Sequence, residues 1–87
     1  MREEIENRVF RVIREVLPPA MRNSIALSRE ILLVEDLKMD SIDLVTLFLA
    51  LEDEFKGSVD QDATYTVRTI GDTINLIEQV FGTEYSA

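Results

Sequence analysis

The chain is predicted to be all-α: a small bundle of three main helices plus one short helix, with a long first loop. Three observations lead there. Apolar residues recur at three- and four-residue spacings in three separate stretches. Strict two-residue alternation runs nowhere at length, and only three glycines and two prolines punctuate the sequence. The 87 residues, 46% of them apolar, suffice for one core with little to spare, so a single domain spanning 1–87 is expected.

The first helix is expected from Glu3 to Leu17, where Ile5, Val9, Val12, Ile13, Val16 and Leu17 form one apolar face. Pro18-Pro19 ends it, because proline lacks the amide donor and disfavours helix in the residue before it. A loop to about Met39 follows, pinned to the core by Ile25, Leu27, Ile31, Leu32, Leu33, Val34 and Leu37, with a helical turn possible over Ser28–Val34. The second helix is expected from Ser41 to about Phe55. Asp40 suits its N-cap, Asp43 completes a capping-box-like pair, and Gly57 lies just beyond its end. Asp60 to Tyr65 has room for one or two helical turns. Thr69 and Asp72 give a second start signal, for a last helix through Phe81 with Ile70, Ile74, Ile77 and Phe81 inward and Gly82 as its stop.

Composition narrows the chemistry. There is no cysteine and no histidine, which removes disulfides, the commonest metal ligands and the usual neutral-pH general base. No metal site is expected. Asp60-Gln61-Asp62 is too short for a calcium loop and lacks its glycine and glutamate. No stretch approaches the roughly 18 apolar residues of a membrane span. The start, Met-Arg-Glu-Glu, lacks a secretory apolar core, so a cytoplasmic setting is expected.

The net charge of −8 is unevenly spread. Residues 1–34 carry six arginines against five glutamates, a balance of +1, whereas residues 35–87 carry three cations against twelve acids, or −9. Such a field repels nucleic acid and favours basic protein surfaces. Taken alone, it is equally what keeps a small protein in solution.

The second helix is more apolar than one buried face requires. On a helical wheel Leu44, Leu47, Phe48, Leu51 and Phe55 form the natural core side. Ile42, Val45 and Leu49 fall nearly opposite, flanked by Glu52 and Asp53. Two readings stand level here: an exposed partner-binding patch rimmed by acid, or a stripe covered by the long loop. Ser41 is ambiguous in the same way. Serine is common at helix starts, and nothing beside it would activate a nucleophile. The position nevertheless suits a phosphodiester, since first-turn amides lack intrahelical partners and the helix dipole is positive there. Asp40 and Asp43 are helix-start residues first, and carboxylates able to help a modifying enzyme hold magnesium second.

The run Val34-Glu35-Asp36-Leu37-Lys38-Met39-Asp40-Ser41-Ile42-Asp43-Leu44, then Leu51-Glu52-Asp53-Glu54-Phe55, resembles the acyl carrier protein family. Thr69-Ile70-Gly71-Asp72-Thr73-Ile74-Asn75-Leu76-Ile77 looks like that family's last helix. The resemblance implies a carrier, not an enzyme, with phosphopantetheine esterified to Ser41 by a phosphopantetheinyl transferase that recognises Asp40 and Asp43. It implies acyl thioesters presented to fatty-acid, lipid or polyketide-type biosynthetic enzymes bearing basic docking patches. Ile42, Val45 and Leu49 would form the docking centre, with Glu52 and Asp53 as its rim. The acyl chain would fold back into a cavity for which Leu44, Phe48 and Val67 are the expected lining. A monomer that binds no nucleic acid is expected.

The sequence departs from that family in places. Ile42 stands where leucine is usual, Lys38 where glycine is common, and Leu44 and Thr46 where fatty-acid carriers are often polar and acidic. An aminoacyl carrier of peptidyl or D-alanyl type shares the same pattern. An unmodified helical adaptor using the Ile42-Val45-Leu49 stripe is the reading from another class.

Overall fold

The computed structural model describes residues 4–85. Its order is α1 (Ile5–Val16), α2 (Pro19–Arg22), α3 (Ser41–Phe55), α4 (Gln61–Thr64) and α5 (Ile70–Tyr85). The three long helices make the core, with α1 packed against both α3 and α5. Glu3, expected as the first helical residue, lies outside the described residues.

α1 buries Ile5, Val9, Val12 and Ile13, the stripe that its spacing predicts. It stops at Leu17, whose backbone is extended ahead of Pro18. The Arg22 guanidinium closes its end by donating to the carbonyls of Glu15 at 2.8 Å, Arg14 at 3.2 Å and Leu17 at 3.2 Å. Arg14 answers with a bond to the Arg22 carbonyl.

The expected loop from Pro18 to Met39 is therefore not structureless. Pro19 opens α2 at its first turn, where a missing N–H costs nothing and a fixed φ helps. Ser28–Val34 forms no helix. A tight turn joins the Ile31 amide to the Ser28 carbonyl at 3.3 Å, and Leu32 then makes an antiparallel bridge with Thr69. Around that bridge the Leu33 amide meets the Arg68 carbonyl, and the Ile70 amide the Ile31 carbonyl, each at 2.9 Å. Arg29 adds side-chain bonds to Glu6 and, at 2.8 Å, to Asn75. The segment is thus stitched to the start of α5 and anchored by buried Leu33, Leu37 and Met39. Val34, expected inward, is exposed.

α3 buries Leu47, Phe48, Leu51 and Phe55. The Phe55 ring stacks on Phe81 of α5 at 5.5 Å, and the Arg8 guanidinium lies 4.5 Å over its centre. Arg8 also donates to the Glu54 carboxylate at 2.8 Å, tying α1 to α3. α3 ends in a left-handed residue, but that residue is Lys56 (φ 58) and not Gly57. Gly57 serves packing instead: a Cβ there would fall 2.5 Å from Cε1 of Phe81.

At the start of α5 the Asp72 amide donates to the Thr69 hydroxyl at 2.9 Å, while the Asp72 carboxylate accepts the Arg68 and Thr69 amides at 3.0 and 3.1 Å. Those two N–H groups hold the Asp72 carboxyl below its ordinary pKa, because they favour the charged form. Ile70, Ile74, Ile77 and Phe81 are buried, as their spacing predicts. Gly82 does not stop the helix, which runs on to Tyr85. Glycine ends a helix by turning left-handed, and no described glycine has a positive φ.

Candidate functional site

The start of α3 is held by two carboxylates. The Asp43 amide donates to Asp40 Oδ1 at 2.9 Å, and the Asp40 amide donates to Asp43 Oδ2 at 3.1 Å. This reciprocal box fixes where the helix begins and satisfies two N–H groups. The approach is fixed too: Lys38 is left-handed (φ 60), and the Met39 amide reaches the Leu33 carbonyl at 3.1 Å. Ser41 follows as the first helical residue, and its side chain is exposed. The Ser41 and Ile42 amides, at the positive end of the helix, have no helical partner.

Beside Ser41 opens a groove of about 730 Å³. Leu44, Val45, Phe48 and Leu49 of α3 form one wall, and Val59, Gln61, Thr64 and Tyr65 face them from the α4 side. Val34, Met39, Asp40, Ser41 and Glu52 complete its lining. Of the three residues expected to line a cavity, Leu44 and Phe48 do so. Val67 is not part of this lining and packs, half-buried, against the core.

The outward face of α3 is open to solvent, with Ile42 75%, Val45 56% and Leu49 60% exposed. The long loop does not cover this stripe, which removes the reading of it as a covered core face. Asp53 is exposed at its margin. Glu52 is different: it is half-buried, and its carboxylate accepts the Val59 amide at 2.7 Å.

Sequence reasoning missed Val34, Met39, Val59 and Tyr65 as groove residues. Val34 and Met39 lie inside the motif around Ser41, so proximity along the chain was a usable signal. Val59 and Tyr65 flank α4, and no periodicity over so few residues points there.

Residues 8–77 match the model of a family described as the phosphopantetheine attachment site. An acyl carrier protein of Thermotoga maritima is 36% identical over 93% of this chain and 96% of its own length. One from Sulfurovum sp. is 45% identical over 54% of this chain, a match that spans 63% of that relative. Among solved structures, a Mycobacterium tuberculosis chain described as an acyl carrier protein superposes with a TM-score of 0.78 at 27% identity, over 90% of this chain and all (100%) of that one. The chain belongs to the acyl carrier protein family: a carrier, not an enzyme, whose prosthetic group is phosphopantetheine.

The residues at the start of α3 fit that group. An exposed serine and first-turn amides without a helical partner could hold the phosphodiester of such a group.

Proposed function

We propose that Ser41 is the attachment residue and that the groove beside it shelters the acyl chain carried on the arm. When bound, the arm supplies the thiol that holds the acyl group as a thioester. The observation that carries this reading is the exposure of Ser41 at the mouth of the groove, on a helix start fixed by Asp40 and Asp43. In support, the Ser41 and Ile42 amides lie where a phosphate on the hydroxyl would meet them. Leu44 and Phe48 offer apolar surface to the cargo, and a tether raises the effective concentration of that cargo at a docked enzyme.

Partners comprise a phosphopantetheinyl transferase and the biosynthetic enzymes that load or use the cargo. Ile42, Val45 and Leu49 form the apolar centre of the docking face, with Asp53 at its rim. The −9 balance of residues 35–87 favours basic patches on those enzymes and disfavours nucleic acid. Fatty-acid, lipid or polyketide-type synthesis is the expected setting, in the cytoplasm, with the carrier acting as a monomer.

Ser41→Ala tests the reading. Loading by a transferase is lost, while the melting temperature changes by no more than about 2–4 °C, because an exposed first-turn side chain contributes little. A variant that still loads would move the attachment to another hydroxyl.

A further inference from the structure

Six large apolar side chains are exposed among the described residues: Val34, Ile42, Val45, Leu49, Tyr65 and Val80. Single exposed apolar residues are ordinary on a protein surface, whereas a cluster of them marks a contact site. Val34, Val45, Leu49 and Tyr65 all line the groove that also holds Ser41, and Ile42 follows Ser41 in the chain. Val80, on α5, lies outside that lining. Two of the four groove residues do not belong to α3. Val34, 51% exposed, comes from the segment before it, and Tyr65, 77% exposed, from the end of α4.

We infer that the surface on which a phosphopantetheinyl transferase docks straddles the groove, with Tyr65 as its anchor on the α4 side and Val34 as a lesser contact. The inference deepens the docking face proposed above and rests on the reading of Ser41 as the attachment residue. Area is the first argument. A specific interface covers about 800 Å² on each partner, about a seventh of this chain's 5614 Å². An enzyme that reaches the Ser41 hydroxyl closes over the groove, and a patch of that size does not stop at α3. Ile42, Val45 and Leu49 supply only part of it.

Residue type is the second argument. Tyrosine is enriched at binding hot spots, because its rigid ring buries a large area while ordering only two torsions. A ring so exposed contributes little to its own fold. Charge favours the same occupant. The groove lies in the half of the chain with a balance of −9, so the matching enzyme surface is an apolar ridge with a basic margin. A carried acyl chain is the competing occupant of the Tyr65 side. The loading reaction separates the two, because the chain that enters it bears neither arm nor cargo.

The test measures steady-state loading of the whole, unmodified chain by a broad-specificity phosphopantetheinyl transferase with coenzyme A and magnesium. Tyr65→Ser lowers kcat/KM about tenfold through KM, with kcat unchanged. Val34→Ser lowers it by a smaller factor, about two- to threefold. Tyr65→Phe keeps the ring and loads like the wild type. Val80→Ser removes an exposed apolar side chain outside the groove and also leaves loading unchanged. Melting temperatures of all four stay within about 2–4 °C of the wild type, so a lower rate is not a loss of fold.

Tyr65→Ser loading at the wild-type kcat/KM overturns the proposal and leaves the attachment reading standing. So does an equal fall in Val80→Ser, which would make the effect one of general surface polarity. If the wild type itself gains no mass, the attachment reading falls and takes this proposal with it.

Discussion

The Glu52 carboxylate accepts a hydrogen bond from the Val59 amide at 2.7 Å, which fastens the last turns of α3 to the segment entering α4. Both residues border the groove beside Ser41, so the bond also sets the spacing of its walls. Glu52 and Asp53 are neighbours in sequence with different work. Asp53 faces solvent, whereas Glu52 is committed to its own fold.

The two are separable by single substitutions. Glu52→Ala strands the Val59 amide and should cost about 1–3 kcal/mol in urea unfolding. Asp53→Lys should leave stability within about 0.5 kcal/mol but slow modification or acyl transfer at low salt, with the deficit shrinking as salt is added. Equal stability losses in the two variants would contradict this division.

Lys38 is left-handed three residues before Ser41, the first residue of α3. A side chain there costs roughly 1–2 kcal/mol, partly offset by its smaller loss of chain entropy compared with glycine. Lys38→Gly should therefore stabilise the fold by about 0.5–1 kcal/mol, read as a higher urea midpoint at an unchanged slope. A lower midpoint would mean that the lysine side chain makes a contact worth more than the backbone strain.

Gly57 sits where a methyl group would meet the Phe81 ring, and that ring is stacked on Phe55. The ring has little freedom to retreat. Gly57→Ala should cost about 1–3 kcal/mol through overpacking, and Phe81→Leu in the same background should recover part of it. Additive losses in the double variant would rule out the clash.

Asp72 links the fold to pH. Its folded pKa lies below the unfolded carboxylate value of about 3.9, so its stabilising effect is complete above that value. The effect is lost as pH falls through the depressed folded value and the carboxyl takes up a proton. Asp72→Asn should lower the urea midpoint at pH 7 and flatten its decline in acid, so that the two proteins converge at low pH. A constant gap between them down to strongly acid pH would contradict the linkage.

The long helices and both carboxylate-capped starts were legible in the sequence because each has a local cause. Apolar spacing defines the buried stripes of α1, α3 and α5. The Asp40–Asp43 and Thr69–Asp72 pairs are contacts between residues three apart. What the sequence hid depends on contacts between distant residues. The Leu32–Thr69 bridge joins two segments with no strand pattern of their own. α2 escaped because Pro18-Pro19 reads as a breaker, yet a proline that ends one helix can open the next. The different duties of Glu52 and Asp53 follow from where Val59 lands after α3, and Gly57 and Gly82 differ because one faces Phe81 while the other continues a helix. At the site itself, Ser41, its capping acids and the apolar surplus of α3 could be read directly. The groove could not, since much of its wall comes from α4, from the flanking Val59 and Tyr65, and from Val34 and Met39.

The most direct test is intact mass before and after incubation with coenzyme A, magnesium and a broad-specificity phosphopantetheinyl transferase, with Ser41→Ala alongside. The account predicts a gain of one phosphopantetheine on the wild type and none on the folded variant. No gain on a folded, previously unmodified wild type, or an equal gain on Ser41→Ala, would contradict it.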